Sequence, residues 1–205
     1  MRVYQRSWHS VNLNEECITK EYDWWLWDKP QLDSQQIKDI NKLIDDNYND
    51  FEPSDLGARD NSTGRPLKNI KPKNIEMKYL LDTPIFDLMS LAEKTINETF
   101  GYHLFPINKW DQLLHNRYSS DIQGHYRKHT DGSRSDIYDV KITFLINLSE
   151  GDYEGGDLLI KNQNPNFRVP GSMLMFKSEL VHEVTPVTRG ERISLTHFFC
   201  GPRYR

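Results

Sequence analysis

His129 and Asp131 stand two residues apart, and His182 follows fifty-one residues past the aspartate, an arrangement that restricts the folds open to this chain. Side chains two apart on a strand point to the same side, so the first two can share one ligand. The distant histidine must then arrive from another strand of a closed sheet. Two imidazoles and one carboxylate fill one face of an octahedron and leave three positions open, which is the donor set of non-heme ferrous sites that take a co-substrate and dioxygen.

Arg192 lies ten residues beyond His182, after the turn formers Pro186 and Gly190, at the head of the β-branched and aromatic segment RISLTHFF. That order predicts a histidine strand, a turn, and a returning strand that brings the guanidinium back beside the metal. A guanidinium there suits a bidentate grip on a carboxylate. The co-substrate that fits is a 2-oxo acid chelating iron through its carboxylate and keto oxygens, with a second carboxylate for Arg192. 2-Oxoglutarate meets that description.

The rest of the chain predicts a scaffold for such a site. Asp33 or Ser34 caps a helix over 35–47 with Ile37, Ile40, Leu43 and Ile44 on its inner face. Thr83 and Pro84 start a second helix, whose stripe of Ile85, Leu88, Met89, Ala92 and Ile96 ends at Gly101. Residues 1–32, with Trp24, Trp25 and Trp27, read as a short strand or packed loop, and 52–74 as a long loop. From residue 109 on, the pattern is of short strands: 110–118, 137–148, 157–161, 173–177, 180–185 and 192–200. Many short strands with Gly and Pro punctuation predict a sandwich or barrel.

Length and composition set the class. At 205 residues the chain suits one domain, with 1–107 as a helical and loop support and 108–200 as the β core. A net charge of −4 gives no reason to expect a polyanion partner. No apolar run is long enough to span a bilayer, the amino end lacks the core of a secretory signal, and Cys17 and Cys200 form no framework. A cytoplasmic, reducing location is the expectation.

The ordered pieces NRY (116–118), HTDG (129–132), YEGGDL (153–158), the G-x-x-x-x-F segment at 171–176 and HEVTPVTRGER (182–192) resemble the prolyl 4-hydroxylase-like branch of the 2-oxoglutarate and Fe(II)-dependent oxygenases, especially the bacterial and phage PKHD-type hydroxylases. The resemblance covers about 108–200. It implies a mainly β fold, a double-stranded β-helix (a cupin-like jelly roll), braced by N-terminal helices. It also implies Fe(II) on His129, Asp131 and His182, with Arg192, Thr196 and Tyr118 around 2-oxoglutarate and ascorbate as reductant. The reaction implied is hydroxylation of an amino-acid side chain, a prolyl residue of a peptide or protein, using dioxygen and releasing succinate and CO2.

The sequence departs from the family in three places. Tyr118 stands eleven residues before His129, which predicts a small insertion between them. Leu145 occupies about the place where many prolyl hydroxylases carry a tyrosine for the co-substrate. Phe198 stands where nucleic-acid demethylating relatives have a second arginine, which disfavours a nucleic-acid substrate. The alternatives are an oxygenase acting on a nucleobase or small metabolite, and a non-catalytic jelly-roll binding module. His9, His103, His115, His125 and His197 are read as ordinary polar residues, the YEGGDL glycines as turn formers, and the tryptophans as packing.

Overall fold

Alternation along the segment from Tyr138 to Asn147 divides the interior of this protein in two. Ile142, Phe144 and Ile146 join one apolar cluster with the helices, while Leu145 joins a second cluster on the opposite face. The same sorting recurs on neighbouring strands, as period-2 side-chain direction requires. Met173 and Met175 go to the helical side and Leu174 and Phe176 to the other; Ile193, Leu195 and Phe199 go to the helical side. Such strands are buried on both faces because one face is covered by helices and the other by a second sheet.

The computed structural model describes residues 2–12, 15–47, 52–53, 73–80, 84–108, 111–131 and 138–203, and the side chains of 22–47, 75–80, 84–108, 111–131 and 138–203. Among these residues the strands are β1 (Arg2–Asn12), β2 (Glu15–Leu26), β3 (Glu52–Pro53), β4 (Lys73–Asn74), β5 (Glu76–Leu80), β6 (Leu113–Ser119), β7 (His125–His129), β8 (Tyr138–Asn147), β9 (Glu154–Gly155), β10 (Leu158–Ile160), β11 (Met173–Lys177), β12 (His182–Val184), β13 (Val187–Arg189) and β14 (Glu191–Pro202). The helices are α1 (Ser34–Asn47) and α2 (Phe86–Thr99). An eight-stranded sheet runs β1-β2-β11-β8-β14-β6-β5-β3, a four-stranded sheet runs β10-β12-β7-β4, and β13 pairs with β9. The fold is the jelly roll, with both helices on the outer face of the larger sheet.

Helix α1 begins as its sequence predicts. Asp33 Oδ1 accepts the backbone N–H groups of Gln35 and Gln36, and Gln36 Oε1 accepts the N–H of Asp33, a reciprocal capping box. Its inner face differs from expectation. Ile37 and Ile44 are buried, but Leu43 is exposed and Asn41 is interior, its amide donating to the Leu148 carbonyl and the Glu150 carboxylate. The hydrogen bonds to the far end of β8 set the helix rotation, and Leu43 is turned outward. Helix α2 buries Met89, Ala92 and Ile96 as predicted, with Ile85 also buried at its N-cap. The cap carries no side-chain hydrogen bond, and Thr83, predicted for that role, lies outside the described residues.

The amino-terminal part supplies more sheet than its sequence suggests. β1 and β2 form an antiparallel pair extending the larger sheet beside β11, and β5 extends it beside β6. Thus 1–107 is no purely helical and loop support. Trp24 packs in the inter-sheet cluster and Trp25 and Trp27 against the helical one, so the tryptophans are packing residues. Most of the predicted 52–74 loop and Trp110, the start of the predicted 110–118 strand, lie outside the described residues.

Candidate active site

Strands β7 and β12 pair antiparallel with His129 opposite His182, which brings two histidines far apart in sequence to adjacent positions in the smaller sheet. Their ring centroids are 4.1 Å apart. Asp131 meets both: Oδ1 is 3.6 Å from His129 Nε2, and Oδ2 is 3.4 Å from His182 Nε2. One donor atom from each of the three lies within 4.8 Å of the others. Other residues hold this cluster in shape. Tyr126 stacks on His129 with centroids 3.6 Å apart, and Phe176 meets the edge of His182.

Asp131 is not on a strand with His129. β7 ends at His129, and the aspartate lies beyond it, its backbone N–H donating to the Ser178 carbonyl just past β11. Its side chain is held from β8, where the Thr143 hydroxyl donates to Oδ2 at 2.6 Å. Ser178 Oγ lies 2.9 Å from Thr143 Oγ1. The convergence predicted from the spacing is present, with a support different from the one predicted.

Each imidazole is oriented through its second nitrogen. His129 Nδ1 lies 2.7 Å from the Arg127 carbonyl and His182 Nδ1 2.9 Å from that of Leu180, and a carbonyl can only accept. Both Nδ1 atoms therefore donate, and in the neutral ring the Nε2 lone pairs turn toward Asp131. Two neutral imidazole nitrogens and one carboxylate fit a ferrous ion.

The cluster opens into a cavity of about 280 Å³ between the two sheets, and Arg192, Thr196 and Tyr118 line it too. Arg192 stands opposite Tyr118 in the β14–β6 register, so its guanidinium carbon sits 4.9 Å from the centre of that ring. Arg192 is only 2% exposed, and Nη1 donates to Ser194 Oγ at 3.3 Å. Among the described residues no carboxylate pairs with it. Burial pushes the Tyr118 phenol up from its ordinary value, against the pull of Arg192, so the hydroxyl keeps its proton. Thr196 Oγ1 accepts from Asn116 Nδ2 at 3.0 Å, which leaves its own proton to donate. Leu145 lines the same cavity.

Tyr126, Thr143 and Ser178 are given no role at the site by the sequence, and Asn116 enters only as part of NRY. Thr143 carried a signal, a hydroxyl interrupting an apolar strand on the face shared with Leu145. His115 and His197 are buried on the helical side or its edge, and neither joins the cluster.

Residues 113–200 match the family model described as the 2OG-Fe(II) oxygenase superfamily, and the matched stretch contains every member of the cluster. Over this stretch the chain is similar to the PKHD-type 2OG-Fe(II) oxygenases. A PKHD-type hydroxylase of Nitrosomonas europaea is 36% identical over 40% of this chain and 40% of its own length. Another, from Herminiimonas arsenicoxydans, is 33% identical over 63% of this chain and 56% of its own length. The chain thus spans about half the length of the curated relatives it matches. Among solved structures, a Pseudomonas putida prolyl-4-hydroxylase superposes with a TM-score of 0.62 at 19% identity, covering 89% of this chain and 94% of that one. A viral collagen prolyl hydroxylase from Paramecium bursaria Chlorella virus-1, in complex with 2OG, also gives 0.62, at 15% identity over 87% and 96%. At those identities the likeness is one of fold. The matched family is named for 2-oxoglutarate and Fe(II), and the His129, Asp131 and His182 donor set fits such an ion. Among the described residues no helix is long and apolar enough to cross a membrane.

Proposed function

We propose that this protein is an Fe(II)- and 2-oxoglutarate-dependent dioxygenase that hydroxylates an amino-acid side chain, a prolyl residue of a peptide or protein. The observation that carries this reading is the buried guanidinium of Arg192, paired with no carboxylate among the described residues, in the same cavity as the His129, Asp131 and His182 cluster. A buried charge with no counter-charge is costly, so the site is built for an anionic ligand that enters and leaves.

Bound ferrous iron and 2-oxoglutarate supply the oxygen chemistry, inserting one atom of dioxygen into a C–H bond and leaving succinate and CO2. His129 and His182 bind the metal through Nε2, and Asp131 offsets its charge. Arg192 grips the far carboxylate of the co-substrate, with the Thr196 and Tyr118 hydroxyls as further donors to it. Tyr118 stands in for the tyrosine hydroxyl that Leu145 does not provide. Leu145, Leu158 and Phe176 give the cavity apolar walls that keep bulk water from the reacting atoms.

A peptide substrate is supported by the fold neighbours named as prolyl hydroxylases, one of them, from Trichoplax adhaerens, solved with a peptide fragment. Sparse cysteine usage supports a reducing intracellular compartment. The test is succinate release from 2-oxoglutarate in the presence of proline-containing peptides, with mass spectrometry for the gain of one oxygen atom. Stimulation by oligonucleotides or free metabolites in place of peptides would overturn the substrate assignment.

A further inference from the structure

Asp131 is the one member of the cluster that lies outside a strand, and its neighbours fix its carboxylate. Four hydrogen bonds form a closed brace around it. The Asp131 N–H donates to the Ser178 carbonyl at 3.0 Å, and the Ser178 N–H donates to the Lys141 carbonyl of β8 at 3.1 Å. The Thr143 hydroxyl donates to Asp131 Oδ2 at 2.6 Å and lies 2.9 Å from the Ser178 hydroxyl.

The proton directions are fixed. An ionised carboxylate only accepts, so the single proton of Thr143 goes to Asp131 and its oxygen must accept from Ser178. Thr143 and Ser178 are 2% and 0% exposed, so no water competes for these bonds. Ser178 orients Thr143, and Thr143 holds Oδ2 of the aspartate through a short, charge-assisted bond.

A carboxylate facing a metal can bind through one oxygen or through both. Both oxygens of Asp131 lie within 3.6 Å of an imidazole Nε2, so position alone does not decide between the two modes. The count of ligands does matter. With two histidines and one carboxylate oxygen, three positions remain open, enough for a chelating co-substrate and dioxygen together. A second carboxylate oxygen on the metal would take one of the three.

We infer that Thr143 and Ser178 are positioning residues that commit Asp131 to bind metal through Oδ1 alone, by holding Oδ2 in the Ser178-to-Thr143 hydroxyl relay. The inference rests on the iron and 2-oxoglutarate reading and adds to it the means by which the third open position is preserved. Neither residue touches substrate in this role, and both act through the aspartate.

The experiment titrates metal-free protein with Co(II) by calorimetry, then records the anaerobic visible absorption of the Fe(II) and 2-oxoglutarate complex, for wild type, Thr143→Val, Thr143→Ser and Ser178→Ala. Thr143→Val keeps the side-chain volume and removes the hydroxyl. It is expected to bind Co(II) about 10- to 100-fold more weakly and to shift the visible band, while Thr143→Ser restores both. A wild-type Co(II) affinity in Thr143→Val overturns the positioning role, and an unshifted band overturns the choice of Oδ1. If Thr143→Val does not fold, Ser178→Ala decides in its place: it keeps the backbone carbonyl that holds Asp131 and removes only the relay. Wild-type protein that binds no Co(II) would instead sink the metal reading on which the inference stands.

Discussion

Arg192 stands directly across from Tyr118 in the antiparallel register of β14 and β6, which seats a buried guanidinium against a buried phenol in the wall of the cavity. The pair places a positive charge and a protonated hydroxyl side by side with no carboxylate among the described residues. The reaction proposed above depends on that charge finding its partner in the co-substrate.

Arg192→Ala is expected to weaken 2-oxoglutarate by about 2 to 5 kcal/mol, since the co-substrate's carboxylate would be left buried and unpaired. That corresponds to a rise of roughly 30-fold to 4,000-fold in its half-saturating concentration. The check is succinate formation against 2-oxoglutarate concentration. An unchanged half-saturation would remove Arg192 from co-substrate binding.

Asp131→Ala is expected to abolish turnover while the far-ultraviolet circular dichroism stays that of the wild type. The aspartate lies outside the strands and keeps its backbone bond to Ser178 when its side chain is removed, so the sheet does not depend on its carboxylate. Measurable succinate release from the variant would show that another residue completes the ligand set.

Gly155→Ala is expected to destabilise the fold by about 1 to 3 kcal/mol without acting on the chemistry directly. Gly155 has φ of +70°, and a β-carbon there would stand 2.0 Å from the Pro186 carbonyl oxygen, where β9 passes β13. Gly156 beside it also has positive φ, which explains the glycine pair in YEGGDL as backbone geometry. Urea unfolding monitored by tryptophan fluorescence reads the loss, and an unmoved midpoint would show that the pairing relaxes freely.

His115 gives the fold an acid sensitivity remote from the metal. Burial, then the charges of Arg117 and Lys78, push its imidazole down to about 4 from an ordinary 6.5. The unfolded chain therefore binds a proton that the folded chain refuses, so stability falls as pH drops from 6.5 toward 4. The loss is on the order of 3 kcal/mol across that window. Unfolding midpoints measured between pH 7 and pH 4 are expected to fall less steeply in His115→Gln than in the wild type. Parallel slopes for the two proteins would contradict the assignment.

The site was largely legible in the sequence because its chemistry needs particular residue types in a particular order. H-x-D, a distant histidine and an arginine ten residues on leave few geometries, and alternation in ITFLINL and RISLTHFF tells which side chains face inward. The supports were harder to read. HYRKH forms a strand of which no residue is fully buried, so it lacks the alternation that marks one. β1 and β2 mix charges with aromatics and announce no period, though they extend the larger sheet. The brace on Asp131 comes from β8 and from the residue after β11, contacts distant in sequence that no local pattern encodes. Leu43 and Asn41 exchange their expected places because two hydrogen bonds at a strand end outweigh one apolar contact.

An anaerobic titration of the metal-free protein with Fe(II) and then 2-oxoglutarate, followed in the visible range, tests the proposed iron site most directly. The wild type is expected to give a weak charge-transfer band, absent in Asp131→Ala and requiring far more 2-oxoglutarate in Arg192→Ala. A wild-type protein that binds both components yet stays colourless, or a band that survives loss of Asp131, would contradict the proposed site.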